Sequence, residues 1–335
     1  MTIAEIENAC DAGQTLDFSR HKAGALEFPL HAMFYPLGFP MSLRTNSAEA
    51  LELAEELFGM FERQHDTEPV LVDMYVTEGG STDCPPAPLH RFIWPIRLTL
   101  ADADNFMIYD MERGSTHIAV TSGAMRHRLF VGSLFLGASA GAHLTVRHVT
   151  PVHAACVAMD GHGVLLCGDS GAGKSTLAYA CARAGWTFVT DDGSYLLNGK
   201  TDRMVIGNCH QVRLRPEATE LFPELQGQRL APRLMGKPTI ELPTAMLSRM
   251  TCAQTARVDF IVFLNRRSGD RHELVPYRTD VARYAMRRAI LGTPESRAVA
   301  YETIERLLTV DTFELCYTDL DWAIERLKKL VQEGQ

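Results

Sequence analysis

This 335-residue chain has little of what marks secreted, membrane-embedded or nucleic-acid-binding proteins. Its eight cysteines form no Cys-x-x-Cys pair and no dense framework, which predicts small buried thiols in a reducing compartment. No apolar run approaches the roughly 18 residues that a membrane-spanning helix needs, and the N-terminal MTIAEIENAC is acidic where a signal peptide is basic. A formal charge of −8 argues against a broad attraction to nucleic acid or anionic membrane. We therefore expect a cytoplasmic protein with neither partner.

The length of the chain predicts two domains. Single hydrophobic cores usually stop growing near about 250 to 300 residues, and the chain has 46% apolar and 22% charged residues, as globular proteins do. We place the boundary near residue 145, which gives domains 1–145 and 146–335.

The first domain has a helix followed by β-rich runs. Asn46, with Glu49 three residues later, is the expected N-cap of an amphipathic helix in NSAEALELAEELFGMFERQ. The runs PVLVDMYVTE, RFIWPIRLTLA, NFMIYDME and THIAVTS follow, separated by turn-forming residues. They predict an antiparallel sheet in a small α+β domain, for which a lid or a substrate-docking surface are the two roles left open.

The second domain alternates strands and helices, which is typical of an α/β fold. Strands are expected near 153–159, 163–167, 187–190 and 258–265, and helices at 279–291 and 295–308. A strand at TFELCYT and a last helix capped by Asp319 complete the domain.

A glycine-rich motif joins an apolar strand to an alanine-rich helix in this domain. Gly168, Gly173, Lys174 and Ser175 satisfy G-x-x-x-x-G-K-[ST], with GVLLC before the motif and STLAYACARA within and after it. Glycines let backbone N–H groups point into the loop, and the helix beginning near Lys174 adds its positive end. The motif therefore predicts a loop that binds the phosphates of a nucleoside triphosphate. The residues expected to contact them are Gly168, Asp169, Ser170, Gly171, Ala172, Gly173, Lys174, Ser175 and Thr176.

Two adjacent carboxylates follow the next strand, in WTFVTDD. A right-handed βαβ unit brings the end of this strand close to the glycine-rich loop. Because consecutive strand residues point to opposite sides, we expect Asp191 and Asp192 to do different jobs. Asp191 and the Ser175 hydroxyl are the candidate Mg²⁺ ligands. Asp192 is the candidate general base, or an orienting group, for an attacking hydroxyl.

A histidine is predicted to lie beside the loop. If Asp160-Gly161 forms a two-residue hairpin turn, residue 159 pairs with 162, and counting back places His153 opposite Gly168. A turn centred on Gly161-His162 would shift this register. In either case His153 can be a core residue, or a donor near the transferred phosphoryl group.

These four elements resemble the C-terminal domain of the HPr kinase/phosphorylase family. That family has a histidine, a loop of the form G-[DE]-S-G-x-G-K-S, a helix ending in a basic residue and glycine, and a strand closing on Asp-Asp. Here they are His153, GDSGAGKS at 168–175, RAGW at 183–186, and Asp191-Asp192. The match is specific over about 40 residues and loose over 150–330. The resemblance implies a P-loop domain of the HPr kinase/PEP carboxykinase-like type with a mixed sheet.

The resemblance also implies an activity, an ATP- and Mg²⁺-dependent kinase acting on a serine of a peptide or protein. By position, Asp192 would accept the proton, His153 and Lys174 would assist at the phosphates, and Ser175 would bind the metal. The family then carries a Glu-x-Arg-Gly segment linked to phosphorolysis, whereas this chain has IGNCHQVRLRPEATEL, with Glu217 near the position of a metal-linked glutamate. The chain thus looks more like the broader set of HPr kinase-like proteins, some of which modify serines of ribosomally made peptides.

Two other functions remain open at this point. Adenylyl-sulfate kinases carry a similar loop, so a small-molecule hydroxyl kinase is one alternative, and a nucleotide-binding regulator without catalysis is another. Arg213, Arg215 and Lys237 are candidate contacts to phosphate or acceptor. The sequence leaves open whether the chain forms a homo-oligomer.

Overall fold

A computed structural model describes residues 3–14, 26–199, 202–234, 236–247, 250–266, 271–288, 290 and 292–334. The chain divides into two compact units, Met1–Val146 and Arg147–Gln335, and both combine helices with mixed sheets.

The first unit contains a mixed sheet and helices that pack on it. Its strands are β1 (Leu30–Phe34), β2 (Met41–Thr45), β3 (Val70–Thr77), β4 (Leu89–Ile93), β5 (Ile96–Leu100), β6 (Phe106–Asp110) and β7 (Ser115–Thr121). Its helices are α1 (Ile3–Asp11), α2 (Ala48–Phe58), α3 (Ser122–Met125), α4 (Arg128–Val131) and α5 (Ala138–Arg147), with a 3₁₀ turn at Pro36–Gly38 and a π-helical segment at Gly132–Gly137.

The sheet of the first unit is mixed, so the prediction of an antiparallel sheet is wrong. The strand order is β1-β2-β3-β7-β6-β5-β4. Strands β2 and β3 are parallel, and so are β3 and β7, while the other neighbours are antiparallel. The helix α2 crosses over between β2 and β3, and such a crossover returns the chain in the same direction.

The N-cap of α2 is Ser47 and not Asn46 as predicted. The Ser47 hydroxyl accepts a hydrogen bond from the Ala50 N–H. The Asn46 side chain instead exchanges two hydrogen bonds of 2.8 Å with the backbone of Val76 on β3. This long-range pairing, which sequence spacing does not reveal, decides between the two adjacent capping residues.

One helix of the first unit is unusually apolar. Arg128–Arg147 is continuous, and by length and composition it could cross a membrane. This corrects the expectation that no apolar run approaches that length, because residues 129–146 include no Asp, Glu, Lys or Arg. Half of the stretch is buried, with Phe135 and Leu136 in the core of the unit. A buried core helix passes the same test, so this helix alone is weak support for a membrane span.

The second unit is built on a larger mixed sheet and a small separate one. Its strands are β8 (Val149–His153), β9 (Ala155–Met159), β10 (His162–Cys167), β11 (Thr187–Thr190), β12 (Gly193–Leu197), β13 (Met204–Gly207), β14 (Gln211–Leu214), β15 (Leu230–Ala231), β16 (Thr239–Pro243), β17 (Thr251–Cys252), β18 (Thr255–Asn265), β19 (Glu273–Pro276) and β20 (Asp311–Cys316). Its helices are α6 (Lys174–Arg183), α7 (Thr279–Arg287), α8 (Pro294–Leu307) and α9 (Leu320–Glu333), with 3₁₀ turns at Pro216–Glu220, Pro223–Leu225 and Thr244–Met246.

The central strand β10 is covered on both faces. The larger sheet has the order β17-β11-β9-β10-β18-β13-β12-β8, with β20 also beside β18 and β19 beside β20. Val164 and Leu166 face a core formed with α6, α9 and the small sheet β14-β16-β15. Leu165 and Cys167 face the opposite core, formed with α7 and α8. This burial on both faces explains why the sequence of β10 is a continuous apolar run.

Several predicted features of the second unit are confirmed. Met159 pairs with His162 around the predicted Asp160-Gly161 turn. The helix α6 begins at Lys174, and the Asp319 carboxylate caps α9 by accepting from the Trp322 N–H. The predicted strand 153–159 is instead two strands, because β8 and β9 separate at Ala154 and pair with different neighbours.

The cysteines whose side chains the structure describes form no disulfide. Five of them are buried, as expected of small hydrophobes: Cys156, Cys167, Cys181, Cys209 and Cys316. Cys84 and Cys252 are exposed, which corrects that expectation for these two.

Candidate functional site

The glycine-rich loop connects β10 to α6 and requires glycine at both ends. Gly168 has φ +146° and Gly173 has φ +97°, conformations that residues with a side chain rarely adopt. A Cβ on Gly168 would lie 2.9 Å from the Ala172 Cβ, and one on Gly173 would lie 3.0 Å from the Arg266 Cδ. The backbone therefore curves tightly and is closely covered, and its free N–H groups at the start of α6 can hold an anion.

The Lys174 side chain lies inside this loop. It is buried, with only 6% exposure. Its Nζ donates hydrogen bonds to the backbone carbonyls of Gly168 at 2.8 Å and Asp169 at 3.2 Å. Burial lowers the pKa of the Lys174 ammonium, while the nearby Asp192 carboxylate partly opposes this effect. The ammonium is thus held at the centre of the loop and is short of solvation, which favours an anionic partner.

Asp191 connects the loop helix to the small sheet. Its backbone carbonyl accepts a hydrogen bond of 3.1 Å from the Ser175 hydroxyl, and its Oδ2 accepts one of 2.7 Å from the Arg213 N–H on β14. The side chain is buried, and burial raises the pKa of Asp191 to about 6 despite the Arg213 N–H, which lowers it. Ser175 and Asp191, the two predicted metal ligands, therefore lie side by side.

Asp192 faces a different partner, His153. The Asp192 Oδ1 lies 3.1 Å from the His153 Nδ1, and the two side chains are 44% and 53% exposed. The hydrogen bond from His153 is the largest cause that lowers the pKa of Asp192, so the carboxylate is ionised at neutral pH. Both aspartates lie just beyond β11, which ends at Thr190, so strand alternation is not what gives them different partners.

The predicted pairing of His153 with Gly168 is wrong, although the register behind it is confirmed and His153 lines a cavity together with Gly168. The pairing of β9 with β10 ends at Ala155 and Leu166. His153 belongs to β8 and pairs with Gly193 on β12, directly after Asp192. The chain changes neighbours at Ala154, and this switch brings the imidazole to Asp192.

These groups line one cavity of about 750 Å³. The predicted residues along it are His153, Ser170, Gly171, Gly173, Lys174, Ser175, Thr176, Asp191 and Asp192, and the candidate contacts Arg213, Arg215 and Lys237 join them. Gly168, Asp169 and Ala172 instead line a second cavity, which also contacts the loop. Glu217 also lines the first cavity, at the start of the 3₁₀ turn Pro216–Glu220.

Two further arginines at this cavity were missed by the sequence analysis. Arg266 follows β18, which is parallel to β10, so its position at the carboxyl end of a neighbouring strand was a usable signal. Its guanidinium carbon lies 5.8 Å from the centre of the Tyr317 ring, and among the described residues it has no acidic partner. Arg233 lies in an irregular segment that follows β15, where no sequence pattern identifies it.

The site can accommodate a magnesium ion only together with another oxygen donor. No group of three or more His, Cys, Asp or Glu side chains suited to a metal occurs in the described ranges. Mg²⁺ is commonly held by one or two protein oxygens together with phosphate oxygens and water. Ser175 and Asp191 fit that pattern, with no complete cage of protein ligands.

Comparisons with known proteins add little to this geometry. No family model and no curated protein matches the chain. Among solved structures, the HPr(Ser) kinase/phosphatase from Coxiella burnetii is similar at 14% identity, with a TM-score of 0.30, over 55% of this chain and 99% of that one. A TM-score this low supports no inference about the present chain, so its function has to be argued from the site itself.

Proposed function

We propose that this chain is an ATP- and Mg²⁺-dependent serine kinase that phosphorylates a peptide or protein. One observation carries the proposal. Three features line the same cavity: the buried Lys174 in the glycine loop, the Ser175–Asp191 contact and the Asp192–His153 pair. Phosphoryl transfer needs these components and little covalent chemistry, because catalysis consists mainly of positioning and charge neutralisation.

The loop and its cations are proposed to bind the triphosphate. The backbone N–H groups at the start of α6 and the Lys174 ammonium would contact phosphate oxygens, with Arg215 close by. Arg215 Nη2 donates to the Ser170 hydroxyl at 3.3 Å, so its guanidinium stands over the loop. Ser175 and Asp191 would hold Mg²⁺, whose charge neutralises phosphate oxygens when it is bound. The positive φ that glycine allows at position 173 and the burial of Lys174 favour a preformed anion site.

Asp192 and His153 are proposed to handle the proton of the acceptor. In the transfer, the serine oxygen forms a bond to the γ-phosphorus, the bond from that phosphorus to the bridging oxygen breaks, and ADP leaves with the electron pair. The serine proton passes to Asp192. Asp192 is ionised at neutral pH, so its carboxylate can accept this proton.

Arg266 is proposed as an additional cation at the transferred group. Its contact with the Tyr317 ring holds the guanidinium beside Gly173 without an acidic partner among the described residues. An arginine with a free charge next to the phosphates can stabilise the charge that develops in the transition state.

The remaining elements of the proposal concern partners and location. We propose that the first unit docks the peptide, since its edge strand β4 carries the exposed Leu89 and Phe92, with Trp94 just after it. We also propose a cytoplasmic setting without nucleic-acid or membrane partners, on the charge and cysteine content. The proposal does not depend on whether the chain forms a homo-oligomer.

A single-turnover assay with γ-labelled ATP, Mg²⁺ and a library of serine peptides tests the proposal. The expected product is a phosphopeptide, identified by mass spectrometry. Incubation with a cell extract then names the natural acceptor. A phosphorylated metabolite with no phosphopeptide would replace the proposal by a small-molecule kinase. Tight ATP binding without transfer to any acceptor would replace it by a nucleotide-binding regulator.

A further inference from the structure

A second cavity of about 950 Å³ is lined by the first half of the glycine loop. It contacts the loop along residues 168–172 and includes neither Lys174 nor Ser175. It shares four residues with the first cavity, namely His153, Ser170, Gly171 and Arg266. The two cavities therefore meet at the loop, at the imidazole that is bonded to Asp192.

The wall of this second cavity is largely aromatic and apolar. The rings of Phe263 and Tyr277 are stacked, with centroids 4.5 Å apart. The helix α7 adds Val281, Tyr284 and Met286 to the lining. Tyr284 is 71% exposed, so its ring is available at the surface of the cavity. A surface of this kind packs against apolar or aromatic side chains.

The charges of the two cavities differ. The described cations along the first cavity are Lys174, Arg213, Arg215, Arg233, Lys237 and Arg266. Of these only Arg266 also lines the second cavity, where Arg288 is paired with Asp169 at 2.8 Å and Glu314 accepts a hydrogen bond of 3.0 Å from the Asn265 amide. A polyanion is therefore favoured in the first cavity, and a ligand with little charge suits the second.

In-line transfer relates the two cavities to each other. The attacking and leaving oxygens lie on opposite sides of the transferred phosphorus. If a triphosphate lies along the cationic cavity with its outer phosphate at the shared residues, the acceptor has to approach those residues from the opposite side. The second cavity meets the first at these shared residues, next to His153.

We propose that the second cavity binds the acceptor as a peptide segment, with the serine at the His153 end and an apolar or aromatic neighbouring residue packed on Tyr277 and Tyr284. This inference rests on the proposed kinase function and specifies its substrate as a serine peptide with a nearby hydrophobic side chain. The nucleotide occupies the other cavity.

The test measures peptide and nucleotide affinity separately. The probes are serine decapeptides that carry one aromatic residue at each position in turn, matched all-alanine peptides, and fluorescent N-methylanthraniloyl-ATP. Tyr284→Ala and Tyr277→Ala are compared with Tyr284→Phe, which keeps the ring. Met246→Ala serves as the control, because Met246 is 76% exposed and lies outside both described cavity linings.

We expect the parent to prefer peptides with an aromatic residue at a fixed distance from the serine. Loss of one aromatic contact should raise the peptide KM about tenfold in Tyr284→Ala, because such contacts contribute about 0.5 to 1.5 kcal/mol beyond their buried area. The aromatic preference should decrease as well, while affinity for the fluorescent ATP stays within about twofold. Tyr284→Phe and Met246→Ala should behave like the parent.

Three outcomes would overturn the inference, and they differ from one another. An unchanged peptide KM and aromatic preference in both alanine variants would remove the acceptor from this cavity while leaving the kinase intact. A loss of nucleotide affinity with an unchanged peptide KM would assign the cavity to the nucleoside. If the parent binds ATP and phosphorylates none of the peptides, the proposed function itself fails, and this inference fails with it.

Discussion

The Asp192 Oδ1 and the His153 Nδ1 lie 3.1 Å apart, although the two residues come from different strands of the second unit. His153 ends β8, and Asp192 lies between β11 and β12, whose Gly193 is the cross-strand partner of His153. The contact therefore depends on the register of β8 with β12. It is the largest cause that lowers the pKa of Asp192, and the Lys174 ammonium lowers it further.

Asp192→Asn should abolish phosphoryl transfer and leave ATP affinity within a few fold. An amide cannot accept the serine proton, and the loss of general base catalysis typically costs about 10² to 10⁴ in rate. Single-turnover rates and ATP titration measure the two effects. Asp259→Asn is the matched control, because Asp259 pairs with His162 at 3.0 Å at the opposite end of β10 and should leave the rate per folded molecule unchanged. Equal activity of Asp192→Asn and the parent would refute the base assignment.

Lys174→Ala should weaken both ATP binding and turnover. The ammonium is buried in the loop and bonded there to two carbonyl oxygens, so its removal takes away a desolvated charge that no neighbouring side chain replaces. Calorimetric titration with Mg·ATP and steady-state kinetics would measure the two losses. Unchanged kinetics would contradict the assignment of this loop as the phosphate site.

Arg266→Ala should lower kcat by at least about a hundredfold with ATP affinity within a few fold, as expected of an arginine that acts on the transition state. Added guanidinium should restore part of the rate, and Arg266→Lys should not restore it fully. The control is Arg183→Ala, since Arg183 also lies over an aromatic ring, that of Phe222, at 5.2 Å. A similar effect of both alanine variants on kcat would mean that Arg266 acts only through packing.

Asp191→Asn should stabilise the protein at pH 7.5 in the absence of Mg²⁺ and nucleotide. Burial raises the pKa of Asp191 from 3.8 to about 6. The folded state therefore favours the protonated carboxyl group. The contribution of this group to the free energy of unfolding is complete below pH 3.8 and is lost as the pH rises through about 6. The asparagine should increase the free energy of unfolding by about 1 to 3 kcal/mol at pH 7.5 and by about zero near pH 3.

Urea denaturation of both proteins across this pH range would test the prediction. The asparagine side-chain oxygen can still accept the hydrogen bond from the Arg213 N–H, so the comparison isolates the charge. A difference in stability that does not vary with pH would show that the carboxylate is not destabilised by burial.

Gly173→Ala should impair ATP binding more than its backbone strain alone explains. The added Cβ would lie 3.0 Å from the Arg266 Cδ and 3.1 Å from the Tyr317 hydroxyl. Gly185→Ala is the matched control, because Gly185 has a similar φ of +95° with open space around it. Both variants should lose about 1 to 2 kcal/mol of stability, and only Gly173→Ala should lose affinity for ATP. Equal affinities in the two variants would contradict the crowding at Gly173.

Local patterns in the sequence identified much of the second unit. The hairpin at Asp160-Gly161, the start of α6 at Lys174 and the cap at Asp319 all depend on residues within a few positions of each other. Turn and cap preferences act over that range, so a single sequence reveals them. Whether Asn46 or Ser47 caps α2 depends on the hydrogen bonds of Asn46 with Val76, which is 30 positions away in the sequence. The local capping preference therefore predicted the wrong residue.

The sequence alone determined that a glycine loop joins a buried strand to a helix, because glycine spacing and apolar runs are local properties. Only the tertiary structure decided which distant groups surround that loop. His153 reaches Asp192 because the chain changes sheet neighbours at Ala154, and Arg266 reaches Gly173 because β18 runs parallel to β10. Pairings between distant strands depend on the packing of the whole unit, and no short stretch of residues specifies them.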